Sequence, residues 1–251
     1  MLVRYRVMGT EKNIERVWLQ DRDFEILRFC LEMKFSSLEA LNERFFDAKS
    51  QDMFAARKRV QKLEANGHLK SVSMLSGTTK KFYLATAKGY REFTAKHDLT
   101  LSSRGFSSAV PKPVTKLSVV TFEHDLMVLK SRQLLERQGR ARNWRSERVL
   151  KAMAASGTGG LARDFMPDGI FTSKNSKVCA FEFENRPKNT DKLKEKIFRL
   201  NALMGMKDPV FEACLFIVSS DSLKNKIKNI TDIFPNKFVV QSMNELTNFE
   251  S

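Results

Sequence analysis

The amino-acid sequence predicts an α+β protein in two parts. Three observations carry that prediction. Residues 21–97 hold three helical apolar stripes, then two short strand-like runs around a polar turn, then a fourth helix. The stretch after them holds serines, a glycine and two prolines with little periodicity. Beyond it helices and strands alternate, and Glu212–Ser219 is a continuous apolar run suited to a strand buried on both faces.

In the first part, Asp21 can cap a helix reaching Met33, with Phe24, Ile26, Leu27, Cys30 and Leu31 as its apolar stripe. Ser36-Ser37-Leu38-Glu39 reads as a capping box for a second short helix. Ser50 or Gln51 opens a third, which stops near Asn66-Gly67. Leu69–Leu75 and Lys81–Ala85 read as strands, and Thr86 caps a helix from Ala87 to about His97. Helix, helix, helix, hairpin is the order of a winged helix-turn-helix, whose third helix enters the major groove of DNA. Ala56, Val60 and Leu63 share the inward face of that helix. Gln51, Arg57, Lys58, Gln61 and Lys62 populate its other faces, and Lys80 and Lys81 sit at the wing. Lysine and arginine neutralise phosphates, while arginine and glutamine also donate to base edges.

In the second part, Thr121–Gln138 reads as a helix and Asn143–Lys151 as a strand. Ala154–Leu161 is a glycine-rich loop without the Gly-Lys-Ser/Thr of a P-loop. Met166–Thr172 and Lys177–Glu184 form a hairpin. Asn189 or Thr190 caps a helix to Met206, Ser220 or Asp221 opens another, and Lys237–Gln241 is a last strand. The expected organisation is thus residues 1–98, a linker at 99–116, and an α/β domain with a mixed sheet at 117–251.

Charge narrows the function. Lysine and arginine number 44 against 29 acidic residues, a net of +15. Residues 1–110 carry 20 basic and 13 acidic side chains, and residues 111–251 carry 24 and 16. An excess in both parts points to a polyanion, most simply double-stranded DNA. A second basic cluster spans Lys130, Arg132, Arg137, Arg140, Arg142, Arg145, Arg148 and Lys151, with Trp144 beside Arg145 as a stacking group. No apolar run reaches eighteen residues and the N-terminus lacks a secretory apolar segment, so a cytoplasmic protein is expected. Cys30, Cys179 and Cys214 are isolated in apolar runs, and the three histidines have no ligand spacing, so neither a disulfide framework nor a zinc site is expected.

The stretch Asp164–Asn185, DFMPDGIFTSKNSKVCAFEFEN, carries the chemistry. It places Asp168 on one strand end and Glu182 and Glu184 on the next. Carboxylates so placed suit Mg²⁺, which binds through one or two carboxylates, water and phosphate oxygens. A plainer reading also stands: Glu182 and Glu184 form an acidic outer face, with Phe181 and Phe183 packed behind. The order of elements resembles the core of the PD-(D/E)xK nuclease superfamily. That resemblance implies Glu123, Asp168 and Glu182 as ligands of Mg²⁺ or Mn²⁺. It also requires a lysine where this chain has Glu184, and Lys188 is near enough to replace it. Without that lysine the site is expected to be catalytically degenerate, with no cofactor.

Most of the chain resembles the replication-relaxation family of bacterial and plasmid proteins. The resembling segments are LQDRDFEILRFCLEMKFSSLEALNERFF, AARKRVQKLEANGHL, KKFYLATAKGYREF, FEHDLMVLKSRQLLE, WRSERVLK, and MPDGIF followed by FEFEN. They run from about Leu19 to Leu203. The resemblance implies a winged helix joined to a nuclease-like domain, acting in replication, DNA relaxation or transcriptional regulation. The expected DNA-contacting residues are Gln51, Arg57, Lys58, Gln61, Lys62, Lys80, Lys81, Arg142 and Arg145. Further partners to expect are a second copy of the chain and a replication or transcription protein, with no membrane. Two alternatives remain open: a metal-dependent DNA endonuclease using Asp168 and Glu182, and a winged-helix protein–protein adaptor.

Overall fold

Phe24, Ile26, Leu27, Cys30 and Leu31 recur at helical spacing, and that stripe packs α1 (Asp21–Met33) into the N-terminal core. The computed structural model describes residues 17–46, 52–73, 80–97, 109–157, 160–162, 165–186 and 189–249. Gln20 rather than Asp21 caps α1, because its backbone N–H finds the Asp23 carboxylate at 2.7 Å. Ser36–Ser37 is a two-residue strand, β1, pairing with Tyr83 and Phe82. The cap of α2 (Leu38–Phe45) is Ser37, whose hydroxyl accepts from the Ala40 N–H at 3.2 Å. The expected capping box from Ser36 is therefore replaced by strand pairing.

Helix α3 (Phe54–Ala65) starts later than Ser50 or Gln51 predicts. Met53 before it has φ +50, and the Asp52 side chain accepts from the Phe54 N–H at 3.0 Å. Strands β2 (Leu69–Ser73) and β3 (Lys81–Ala85) follow, and the small antiparallel sheet has the order β1-β3-β2. Residues 74–79, the expected wing turn, lie outside the described residues. Helix α4 (Ala87–His97) runs close to the backbone of His68, just before β2. At Gly89 a Cβ would lie 2.4 Å from the His68 carbonyl oxygen, so only glycine fits.

The second half contains α5 (Val119–Arg137), β4 (Ala141–Ser146), α6 (Glu147–Ala155), β5 (Gly169–Ser173), β6 (Val178–Glu184) and α7 (Thr190–Met204). Then come β7 (Ala213–Val218), α8 (Asp221–Thr231), β8 (Phe238–Ser242) and α9 (Met243–Asn248). The expected strand Asn143–Lys151 breaks at Ser146, whose hydroxyl caps α6. The sheet order is β4-β5-β6-β7-β8, antiparallel at the first two pairings and parallel at the last two. The predicted mixed sheet is therefore present, and the chain is α+β.

Alternation along the central strands divides the core. Phe181, Phe183, Leu215 and Ile217 face a cluster shared with α5 and the N-terminal half. Ala180, Cys214, Phe216 and Val218 face α7 and α8. The N-terminal half is tied to the second by apolar and ionic contacts alike. The Phe122 ring stacks on Phe35 at 5.1 Å and meets the edge of Phe82 at 4.9 Å. Ser146 donates to the Glu32 carbonyl oxygen at 2.7 Å, and Lys34 pairs with Asp125 at 2.6 Å. No helix among the described residues is long and apolar enough to cross a membrane.

Candidate functional site

Strand β6 brings Glu182 and Glu184 to the same face, two residues apart, as the period of a strand requires. That face is covered by α7, and both carboxylates are buried, at 1% and 3% exposure. The acidic outer face expected from the sequence is thus an inner one. What permits this is Lys196 of α7. Its ammonium donates to Glu182 Oε2 at 2.6 Å and to Glu184 Oε1 at 2.8 Å. A buried carboxylate without such a partner would be strongly disfavoured.

Asp168 joins the group from the residue before β5. One of its oxygens accepts from the Phe183 N–H at 2.8 Å, and the other lies 3.1 Å from His124 Nε2. His124 comes from the first turns of α5, so the site draws on α5, the β5–β6 pair and α7. On its open side Asp168 faces a cleft of about 30 Å³, lined also by Lys34, Asp125 and Arg148. That volume holds little more than one water.

Burial and charge set the protonation states. Burial alone pushes Glu182 up, and the neighbouring Asp168 and Glu184 push the same way. The Lys196 ammonium opposes them, and Glu182 comes to rest at about 8. Burial disfavours the charged form of Lys196, but Glu182, Glu184 and Asp168 outweigh it and hold the ammonium above its ordinary value. At Asp168 burial is outweighed by His124, Lys196 and the Phe183 N–H, so its carboxyl lies below the usual range. At His124 burial is likewise outweighed, by the hydrogen bond and charge of Asp168, and the imidazole is raised. Glu182 is thus pushed up while Asp168 is held down. Oε1 of Glu182 has no hydrogen-bond partner among the described residues.

Of the residues expected here, Asp168 and Glu182 are brought together. Glu123 lies at the surface, 3.9 Å from Arg186. Lys188 lies outside the described residues. Among the described residues no three His, Cys, Asp or Glu side chains are gathered closely enough to hold a metal ion. Sequence reasoning missed Lys196 and His124. A signal for Lys196 existed: it falls between Leu193, Ile197 and Leu200 on the buried stripe of α7, where a lysine needs a carboxylate partner.

The second candidate surface is α3. Ala56, Val60 and Leu63 are completely buried, as the spacing predicts. Arg57, Lys58 and Gln61 are exposed and Lys62 is half-buried. Lys80 and Lys81, at the start of β3, are exposed as well, whereas Gln51 lies outside the described residues. Arg59, unremarked in the sequence, spans the core edge. Its Nε donates to Asp23 at 2.7 Å and another guanidinium nitrogen to the Trp18 carbonyl at 2.9 Å.

The basic cluster of α5 to α6 has a different character. Arg132 pairs with Glu32 at 3.0 Å and Glu136 at 3.1 Å, and Arg137 with Glu43 at 2.7 Å. Arg148 donates to the backbone carbonyls of Leu31 and Lys112, and Lys151 pairs with Glu147. Arg142 is exposed and donates to Ser176 at 2.8 Å, while Arg145 is half-buried and its pKa is lowered by burial. Trp144 is buried between Phe171 and Phe181, so its ring is not offered for stacking.

No family model, curated protein or solved structure matches the chain.

Proposed function

We propose that the protein binds double-stranded DNA through α3 and the β2–β3 hairpin, in the manner of a winged helix-turn-helix. Its work is in replication, DNA relaxation or transcriptional regulation, as the resemblance to the replication-relaxation family implies. The observation that carries this reading is the division of α3. Ala56, Val60 and Leu63 are sealed in the core while Arg57, Lys58 and Gln61 project outward. Lys80 and Lys81 add exposed charge on the hairpin. The second half is read as a nuclease-like scaffold without cleavage activity, because Lys196 already neutralises the carboxylates that would receive a cation. Gel shifts on duplex DNA across a salt series test the reading. The Arg57→Ala/Lys58→Ala/Lys62→Ala variant should lose at least ten-fold in affinity and flatten the salt dependence. Unchanged binding by that variant would sink the reading.

One observation favours the endonuclease alternative. Glu182 Oε1 is buried and unpartnered beside Asp168, with a lysine at hand. Asp168 and Glu182 would hold Mg²⁺ or Mn²⁺, which would activate a water and neutralise phosphate charge. Incubation of supercoiled and linear DNA with either metal decides it. Cleavage lost on Asp168→Ala would establish the alternative, and intact DNA throughout would remove it.

A further inference from the structure

The face of α3 carries an aromatic feature that phosphate contact does not use. Beside its first turn lies a cleft of about 340 Å³, lined by Arg22, Phe46, Phe54, Lys58, Arg59 and Lys62. Among the described residues no carboxylate lines it. Asp23 takes the charge of Arg59, and Asp52 is engaged with the Phe54 N–H. Phe54 is 62% exposed, a large apolar ring left in water at the edge of a basic surface. Cations attend the rings: Arg22 sits 4.7 Å from the centre of Phe46, and Lys58 5.9 Å from that of Phe54.

An aromatic face flanked by cations meets both demands of a nucleotide. The ring offers a stacking platform to the base, and the cations answer its phosphate. Bases of an intact duplex are stacked on one another and cannot use it. We infer that this cleft holds an unpaired nucleobase, so that the protein prefers DNA with a locally unpaired stretch over perfect duplex. The inference rests on the DNA-binding reading above and names the form of DNA that its basic surface selects. Base–aromatic stacking is strong enough to give a preference of about ten-fold.

Fluorescence anisotropy with three labelled probes tests it: a perfect duplex, the same duplex with a three-nucleotide bulge, and an oligothymidylate. Wild-type protein should bind the bulged probe about ten-fold more tightly than the perfect one. Phe54→Leu, which keeps an apolar side chain but removes the ring, should abolish that preference while duplex affinity stays within about two-fold. Circular dichroism would verify that the variant is folded. Equal wild-type affinity for bulged and perfect duplex overturns the inference and leaves the DNA-binding reading intact. So does a preference that survives Phe54→Leu. Wild-type protein that binds none of the probes overturns both, and tighter binding of an acidic, aromatic peptide than of any probe assigns the cleft to a protein partner.

Discussion

Two charged regions of this molecule each set a lysine on a helix and use it oppositely. On α3, Arg57, Lys58 and Gln61 stand in solvent above a sealed apolar stripe. Under α7, Glu182, Glu184 and Lys196 are packed out of water and answer one another. The first region is a surface whose charge is available to a partner. In the second, charge is consumed within the fold. The difference teaches that burial and pairing, more than residue identity, separate a binding surface from a structural ionic group. The basic cluster of α5 to α6 belongs with the second kind, since Arg132, Arg137 and Arg148 join the two halves through glutamates and backbone carbonyls.

The sharpest way to break that comparison is to remove Lys196. Lys196→Met leaves two buried carboxylates without their cation, so it should cost about 3–5 kcal/mol in denaturant unfolding. Adding Glu182→Gln and Glu184→Gln to it should recover at least half of that loss. A cost under about 1 kcal/mol for Lys196→Met would mean that water already screens the group.

Much of this architecture is legible in the sequence, and the misses have physical causes. The bounds of α4 and β3 agree with the local pattern, because cap, period and turn residues all point one way there. The β5–β6 hairpin is where the sequence puts it, though β5 starts at Gly169 rather than Met166, and β7 fills the expected apolar run, buried between parallel neighbours. Ser36–Ser37 has no strand pattern of its own; it becomes β1 only because Tyr83 and Phe82 present an open edge. Ser146 ends β4 because its side chain caps a helix. At the site, Asp168 and Glu182 were legible from two strands close in sequence. Lys196 and His124 were not, since they come from helices and only the stacking of α5 and α7 on the sheet brings them to the strand carboxylates.

A pH series sharpens the contrast with a smaller effect. The folded state raises Glu182 to about 8, so it holds a proton that the unfolded chain has released above about 4.5. Its contribution to stability is therefore fully present at low pH and is lost as pH rises through 8. His124 acts in the same sense, its contribution fading as pH rises through its raised folded value. Stability should fall by on the order of 2 kcal/mol between pH 6 and 9, and Glu182→Gln should remove most of that decline. A flat profile for the wild-type protein would show that Glu182 stays ionised throughout.

The same pair offers a finer measurement. Proton NMR should find His124 titrating above the ordinary histidine value, near 6.5, and Asp168→Asn should bring it back down. A His124 that already titrates at or below that value in the wild-type protein would mean that the 3.1 Å contact with Asp168 carries no charge pairing.

The smallest effect tests the surface side of the comparison. Lys58 and Lys151 are both exposed lysines, one on α3 and one on α6 paired with Glu147. An exposed i, i+4 pair contributes only about 0.3–0.5 kcal/mol, so Lys151→Ala should leave stability almost unchanged. If charge on α3 alone meets phosphate, Lys58→Ala should reduce the slope of log affinity against log salt by about 0.9. Lys151→Ala should leave that slope where it was. Equal reductions from both substitutions would extend the DNA-contacting surface onto α6, and the division between exposed and internally paired charge would then cease to predict function.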